Sequence, residues 1–311
     1  MNVFVAGASG VLGRRLVRQL TARGHAVSGL VRSREGEKLV ASLGGQPCWV
    51  DLFDADALVQ AAGAADVVIH AATSIPTQAR TKAHDWQAND RIRREGTQAL
   101  AHCAGRIGAK LFIFQSIVWV ARPADDGPFD EDTPPNPNAL MQSAVDGERF
   151  SQTIAAQYGF QACVLRCGWF YGADAAHTKM FIDGIASRRL PIIGPGDTLW
   201  RCLHLDDAAS SFVVAAEAGQ GGLWHVTDDE PVTVRDFLTS LAQRLGAPPP
   251  RSIPVWLARL LAGRTSVEFF THSTRTGNAR FRRDFGWSPQ YPNYREGLDQ
   301  VIAAWRAADA Q

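Results

Sequence analysis

Asn2-Val3-Phe4-Val5-Ala6-Gly7-Ala8-Ser9-Gly10-Val11-Leu12-Gly13 begins as a short apolar run and passes directly into a glycine-rich turn. Residues 14–23 follow with apolar side chains at Leu16, Val17 and Leu20, the spacing of one helical face. A glycine turn between strand and helix suits a pyrophosphate for mechanical reasons. Gly7 permits the tight turn, Gly10 lets the backbone approach the anion, and Gly13 lets helix and strand pack closely. The helix start then offers free N–H groups and a partial positive charge. A second apolar stretch, 26–31, follows the helix, which is the context such a motif needs. The stretch predicts a dinucleotide site built from Gly7, Ser9, Gly10, Val11, Leu12 and Gly13. A glycine turn with no ligand is the alternative, and this context disfavours it.

The end of the second strand bears on which dinucleotide is bound. An NAD site places Asp or Glu there, roughly 20 residues past the glycines, to hold the ribose 2′-hydroxyl. Arg32-Ser33-Arg34 stands in that place. A guanidinium at Arg32, with Ser33 beside it, suits a 2′-phosphate, and Arg14 is placed to add to it. The expected cofactor is NADP in preference to NAD. Solvated charge at a helix start is the competing reading.

The 311 residues carry a formal net charge of +1, with 46% hydrophobic and 20% charged residues. That balance implies neither nucleic acid nor an anionic membrane as partner. No apolar run reaches the roughly 18 residues of a membrane span, and a core strand directly after Met1 leaves no room for a signal peptide. The five cysteines are scattered without metal-ligand spacing, so Cys163 and Cys167 read as buried thiols and no metal site is expected. A cytoplasmic location fits this usage.

Strand and helix then alternate. Strands are expected at 46–50, 66–72, 110–115 and 161–166, with helices at 55–62, 86–107 and 139–158. This rhythm predicts an α/β fold: a Rossmann-type doubly wound parallel sheet with helices on both faces. Past Gly172 the rhythm loosens. Helices are expected at 179–187, 206–218, 234–245, 255–261 and 294–308, with short strands at 190–193 and 223–226. The expected division is a nucleotide-binding domain over 1–172, with strands returning to it from later segments, and a smaller, mostly helical substrate lobe over 173–311. The acidic, proline-rich loop 123–137 reads as a surface excursion with solvated charges.

Several strings in fixed order resemble the extended short-chain dehydrogenase/reductase family of sugar-nucleotide epimerases, dehydratases and related reductases. They are the glycine turn, Asp51-Leu52, His70-Ala71-Ala72, and Asn89 with Gly96-Thr97. Arg166-Cys167-Gly168-Trp169-Phe170-Tyr171-Gly172, His204-Leu205-Asp206-Asp207, Thr227-Asp228-Asp229-Glu230-Pro231 and Phe285-Gly286-Trp287 continue the series. The resemblance implies that Asp51 and Leu52 border the adenine and that Ala71 and Ala72 line the dinucleotide. It also implies a small-molecule substrate, and a homodimer through the helices at 86–107 and 139–158. The family pairs a tyrosine with a lysine four residues later on one helix, so that the phenol exchanges a proton while hydride moves. Aligned on Glu148, those positions hold Leu140 and Ala144, which makes this an atypical member. Ser116 matches the serine that holds the substrate oxygen, or else its structural neighbour.

Other groups are then candidates for the proton: His70 at a strand end, Tyr171, and His177 or Lys179 just beyond it. Each also has a structural reading. Ser74, Trp119, Leu140, Met141, Trp169, Phe170, Met180 and Trp200 are expected around the substrate, and that apolar rim favours a flat or greasy molecule over a diphospho-sugar. Three functions stay open. The first is an NADP-dependent reductase of a small, largely apolar carbonyl or enone with a non-standard proton donor. The second is an epimerase or dehydratase with tightly bound nucleotide. In the third, a non-redox protein holds NADP as a structural or regulatory ligand, or shapes a cyclisation or isomerisation.

Overall fold

A computed structural model describes residues 1–77 and 81–309. The first half alternates β1 (Asn2–Ala6), α1 (Gly13–Ala22), β2 (Ala26–Val31), α2 (Arg34–Ser42), β3 (Gln46–Trp49), α3 (Ala55–Ala62) and β4 (Val67–His70). Then come α4 (Gln87–Arg91), α5 (Thr97–Ile107), β5 (Leu111–Ile117), α6 (Gln142–Tyr158) and β6 (Gln161–Cys167). The second half contributes β7 (Trp169–Tyr171), α7 (Ala176–Ala186), β8 (Ile192–Ile193), β9 (Leu199–Trp200), β10 (Cys202–His204), α8 (Leu205–Ala218) and β11 (Gly222–Val226). After these come β12 (Val232–Thr233), α9 (Val234–Leu245), β13 (Ser252–Ile253), α10 (Val255–Ala262), α11 (Arg264–Thr271), α12 (Ala279–Phe285) and α13 (Tyr294–Asp309).

Seven parallel strands form the main sheet in the order β11-β6-β5-β4-β1-β2-β3. The chain leaves β1 in one direction and returns through β4 to build in the other. The carboxyl ends of β1 and β4 therefore flank the crevice where doubly wound sheets take ligands. Both faces are covered, because the strands are apolar on both sides. Val3 and Val5 join Leu16, Val17 and Leu20 of α1 and Phe212 of α8 on one face. Phe4 and Phe112 join Leu58, Leu100 and Ile154 of α3, α5 and α6 on the other. A separate core gathers around Trp169, Tyr171, Trp200 and Phe237.

Three local expectations change. Helix α6 starts at Gln142, because the Asn138 side chain accepts the backbone N–H groups of Leu140 and Met141 and holds them in a turn. The helix expected over 86–107 contains a π-helical turn, Ile92–Gly96, which accompanies a buried Arg93. The loop 123–137 keeps Asp125, Asp130 and Asp132 exposed, as expected of a surface excursion, but it is also tied down: Arg280 pairs with Glu131 at 3.5 Å and with Asp132, and Phe129 donates its N–H to the Arg275 carbonyl.

Candidate functional site

A cavity of about 610 Å³ opens over the carboxyl ends of β1 and β4. Its floor is the glycine turn. Gly7, at φ +87°, takes a backbone conformation that L side chains rarely adopt, and a Cβ there would stand 2.7 Å from the Ala71 carbonyl carbon and the Ala72 nitrogen. Gly13 does not line the cavity. Its role is packing: a Cβ would stand 2.0 Å from the Gly7 carbonyl oxygen. Helix α1 starts with no side-chain cap and no acidic residue in its first turn, so its terminus is electrostatically open to an anion. These features fit the pyrophosphate of a dinucleotide. Ser9, Gly10, Val11 and Leu12 line the cavity with Gly7, as do Ala71 and Ala72 opposite.

Arg32, Asp51 and Leu52 line the far end. Arg32 is exposed and makes no ion pair among the described residues. Ser33 serves the fold, because its hydroxyl accepts the Gly36 N–H at 3.1 Å and caps α2. Arg14 is engaged elsewhere, 3.2 Å from Asp174. Two further residues border this end that the motif reading did not single out. Phe53 follows Asp51-Leu52, and the Arg91 guanidinium lies over its ring at 3.8 Å.

At the other end the cavity meets Thr73, Ser74, Ile75, Gln115, Phe170 and His177. His177 shares a 2.5 Å hydrogen bond with the Phe170 carbonyl, so its Nε2 carries the proton, and burial pushes its pKa below the usual imidazole value. No tyrosine or lysine stands among the described residues that line the cavity.

The four residues expected to do chemistry are not brought together there. The Ser116 hydroxyl is fully buried and donates to Glu148 Oε1 at 2.5 Å, in a cluster where Arg166 clamps the same carboxylate at 2.9 and 2.7 Å. Register explains this: Ser116 pairs with Arg166 across β5 and β6, and both reach Glu148 of α6. Its neighbour Gln115 lines the cavity instead. His70 is buried between the Ile92 carbonyl, 3.3 Å from Nε2, and the Ala72 N–H, 3.4 Å from Nδ1. Tyr171 is sealed in the core around Trp169 and Trp200, where a Cβ on Gly297 would stand 2.0 Å from its hydroxyl. Lys179 is exposed, 3.9 Å from Asp183.

Of the expected rim, Ser74 and Phe170 line the cavity. Trp169 and Trp200 are core, with ring centroids 5.1 Å apart. Trp119 donates to Thr274 at 3.0 Å, Leu140 and Met141 sit in the turn before α6, and Met180 is on the surface.

The buried His70 gives a pH test of this packing. Burial lowers its pKa to about 4 from an ordinary value near 6.5. Between those values the unfolded chain binds the extra proton, so stability falls as pH falls through that window. The expected loss between pH 7 and pH 5 from this residue is about 2 kcal/mol. Urea midpoints at the two pH values measure it, and His70→Gln should flatten that part of the profile.

The sequence model of the NAD dependent epimerase/dehydratase family matches residues 3–226. The chain belongs to that family, and it is an enzyme of that family. A 3-diazoavenalumate denitrifying reductase from a Streptomyces species is 34% identical over 96% of this chain and 99% of its own length. A farnesyl dihydroquinoline-oxide ketoreductase from Stigmatella aurantiaca is 32% identical over 79% of this chain and 74% of its own. The UDP-glucose 4-epimerase of Thermotoga maritima shares the fold with a TM-score of 0.84, at 18% identity, covering 100% of both chains. Several solved structures of the same fold contain NAD, and one contains NADPH. A nicotinamide dinucleotide is the cofactor that the family and this cradle share.

Proposed function

We propose that this protein is an NADP-dependent reductase of a small, largely apolar acceptor of the carbonyl, enone or diazo kind. The observation that carries the NADP preference is Arg32: a cavity-lining guanidinium, with no carboxylate partner among the described residues, where a 2′-phosphate belongs. Relatives named as reductases of a diazo compound, a ketone and a 3-oxoalkanoate support the acceptor class. So does the wall at that end, where Ile75, Phe170, Ala175 and Ala176 are apolar and the larger polar side chains are Gln115 and His177.

When bound, the dinucleotide supplies the reducing equivalent as hydride. The chain's own part is to hold the cofactor on the turn, exclude water with its apolar wall, and orient the acceptor. We assign the Gln115 amide to the acceptor's polar atom. His177 has Nε2 committed to the Phe170 carbonyl, so Nδ1 is the atom through which it exchanges a proton with the site. The lack of a phenol and ammonium pair in the described cavity wall argues against the epimerase or dehydratase reading.

Titration with both cofactors tests the preference. Arg32→Ala should weaken NADPH by the worth of a charged hydrogen bond, about 1.5–3 kcal/mol, and leave NADH nearly unchanged. Equal affinities of the parent protein for the two cofactors would sink the preference. A panel of carbonyl, enone and diazo compounds, followed by loss of nicotinamide absorbance, tests the reaction. Tight NADPH binding with no oxidation across that panel would favour the non-redox reading.

A further inference from the structure

We infer that Arg91 is a binding residue for the adenine half of the dinucleotide, and that it acts through the flat face of its guanidinium, not through its charge. The inference rests on the reading of the cavity as a dinucleotide site. Arg91 ends α4 and lines the cavity between Ala88 and Ile92, on the helix face turned toward Asp51-Leu52-Phe53. Its guanidinium lies over the Phe53 ring at 3.8 Å, while its Nε donates to Glu95 at 2.8 Å. The backbone at Phe53 is held in turn, since its N–H donates to the Asp51 carboxylate at 3.1 Å.

Two contacts from two directions hold a long, half-exposed side chain in one orientation. That is the arrangement in which a guanidinium presents a plane: it stacks on an aromatic ring and on a nucleobase in the same way. Arg91 already has a carboxylate neighbour in Glu95, whereas Arg32 at the same end has none among the described residues. The two arginines thus divide the adenosine 2′-phosphate between them. Arg32 takes the phosphate, and the Arg91–Phe53 stack forms the wall against the base.

Calorimetric titration of the full-length protein with NADPH, NADH and reduced nicotinamide mononucleotide, which lacks the adenosine half, tests this. Arg91→Met keeps the apolar stem and removes the plane. It should weaken NADPH and NADH alike by roughly fivefold or more, the low end of a base-stacking contact, and leave the mononucleotide unchanged. Arg91→Lys keeps the charge and should lose as much as Arg91→Met. Phe53→Leu should lose a similar amount, and the double variant no more than the worse single. Recovery of binding in Arg91→Lys, or a loss confined to NADPH, would show that charge is at work and overturn the inference. Weakened mononucleotide binding would overturn it too, by showing general damage. A parent protein that binds neither dinucleotide would instead remove the reading of the cavity on which the inference stands.

Discussion

Glu148→Ala should cost about 3–5 kcal/mol of folding stability, the penalty for leaving a buried charge without its partner. Arg166 is buried and clamps Glu148 with two hydrogen bonds. Removing the carboxylate leaves the Arg166 guanidinium in the interior without its partner, where solvent cannot replace it. Ser116→Ala removes only one donor to that carboxylate and should cost about 1 kcal/mol. Urea denaturation of the two variants measures both. The contrast also decides what the serine is for. A Ser116→Ala variant of near-normal stability that loses all turnover would restore Ser116 to the catalytic site, against the geometry.

Gly13→Ala should remove most dinucleotide binding, by more than about 1.4 kcal/mol or tenfold, and lower stability by about 3 kcal/mol. The added Cβ would meet the Gly7 carbonyl oxygen at 2.0 Å and the Ala8 Cα at 2.7 Å. Both are backbone, so no rotamer change relieves the contact. The start of α1 must shift away from β1, and with it the N–H groups offered to the pyrophosphate. Gly24→Ala is the control, since nothing lies within 4 Å of its Cβ position and only the backbone term at φ +80° remains. Thermal melts with and without NADPH separate the two effects: the parent should gain stability from ligand, and Gly13→Ala should gain little. Ligand stabilisation of Gly13→Ala equal to the parent's would contradict the packing role.

Most of the nucleotide half is legible because its signals are local. A tight turn, an apolar helical face and a cap are each written within a few neighbouring residues. Gly7, Gly10 and Arg32 stand on the cavity as expected for that reason. The chemistry at the far end is not local. Strand β5 is buried on both faces, so Leu111-Phe112-Ile113-Phe114 shows no alternation to say which of Gln115 and Ser116 looks into the cavity. One residue of parity moves the serine to Glu148 and the glutamine to the site. Trp169 and Trp200 illustrate a second blind spot, because an indole suits a greasy pocket and a lobe core equally well. Arg91 and Phe53 meet across 38 positions of sequence, and no short pattern marks that contact.

Strand β11 has a practical consequence for anyone cutting or recombining this chain. It comes from residues beyond 172, yet it pairs along β6 from Gly222↔Cys163 to Val226↔Cys167. Helix α1 is also riveted forward, through Arg15 to Asp174 at 2.9 Å and to Asp206 at 2.7 Å. A fragment ending at 172 would lose the outer strand and both carboxylates together. The bared edge of β6 would then offer its unpaired amides to another copy, and the fragment should form aggregates by edge-to-edge strand addition. Chimeras that exchange segments beyond 172 should therefore carry 202–226 with the first half, so that the sheet keeps its own border.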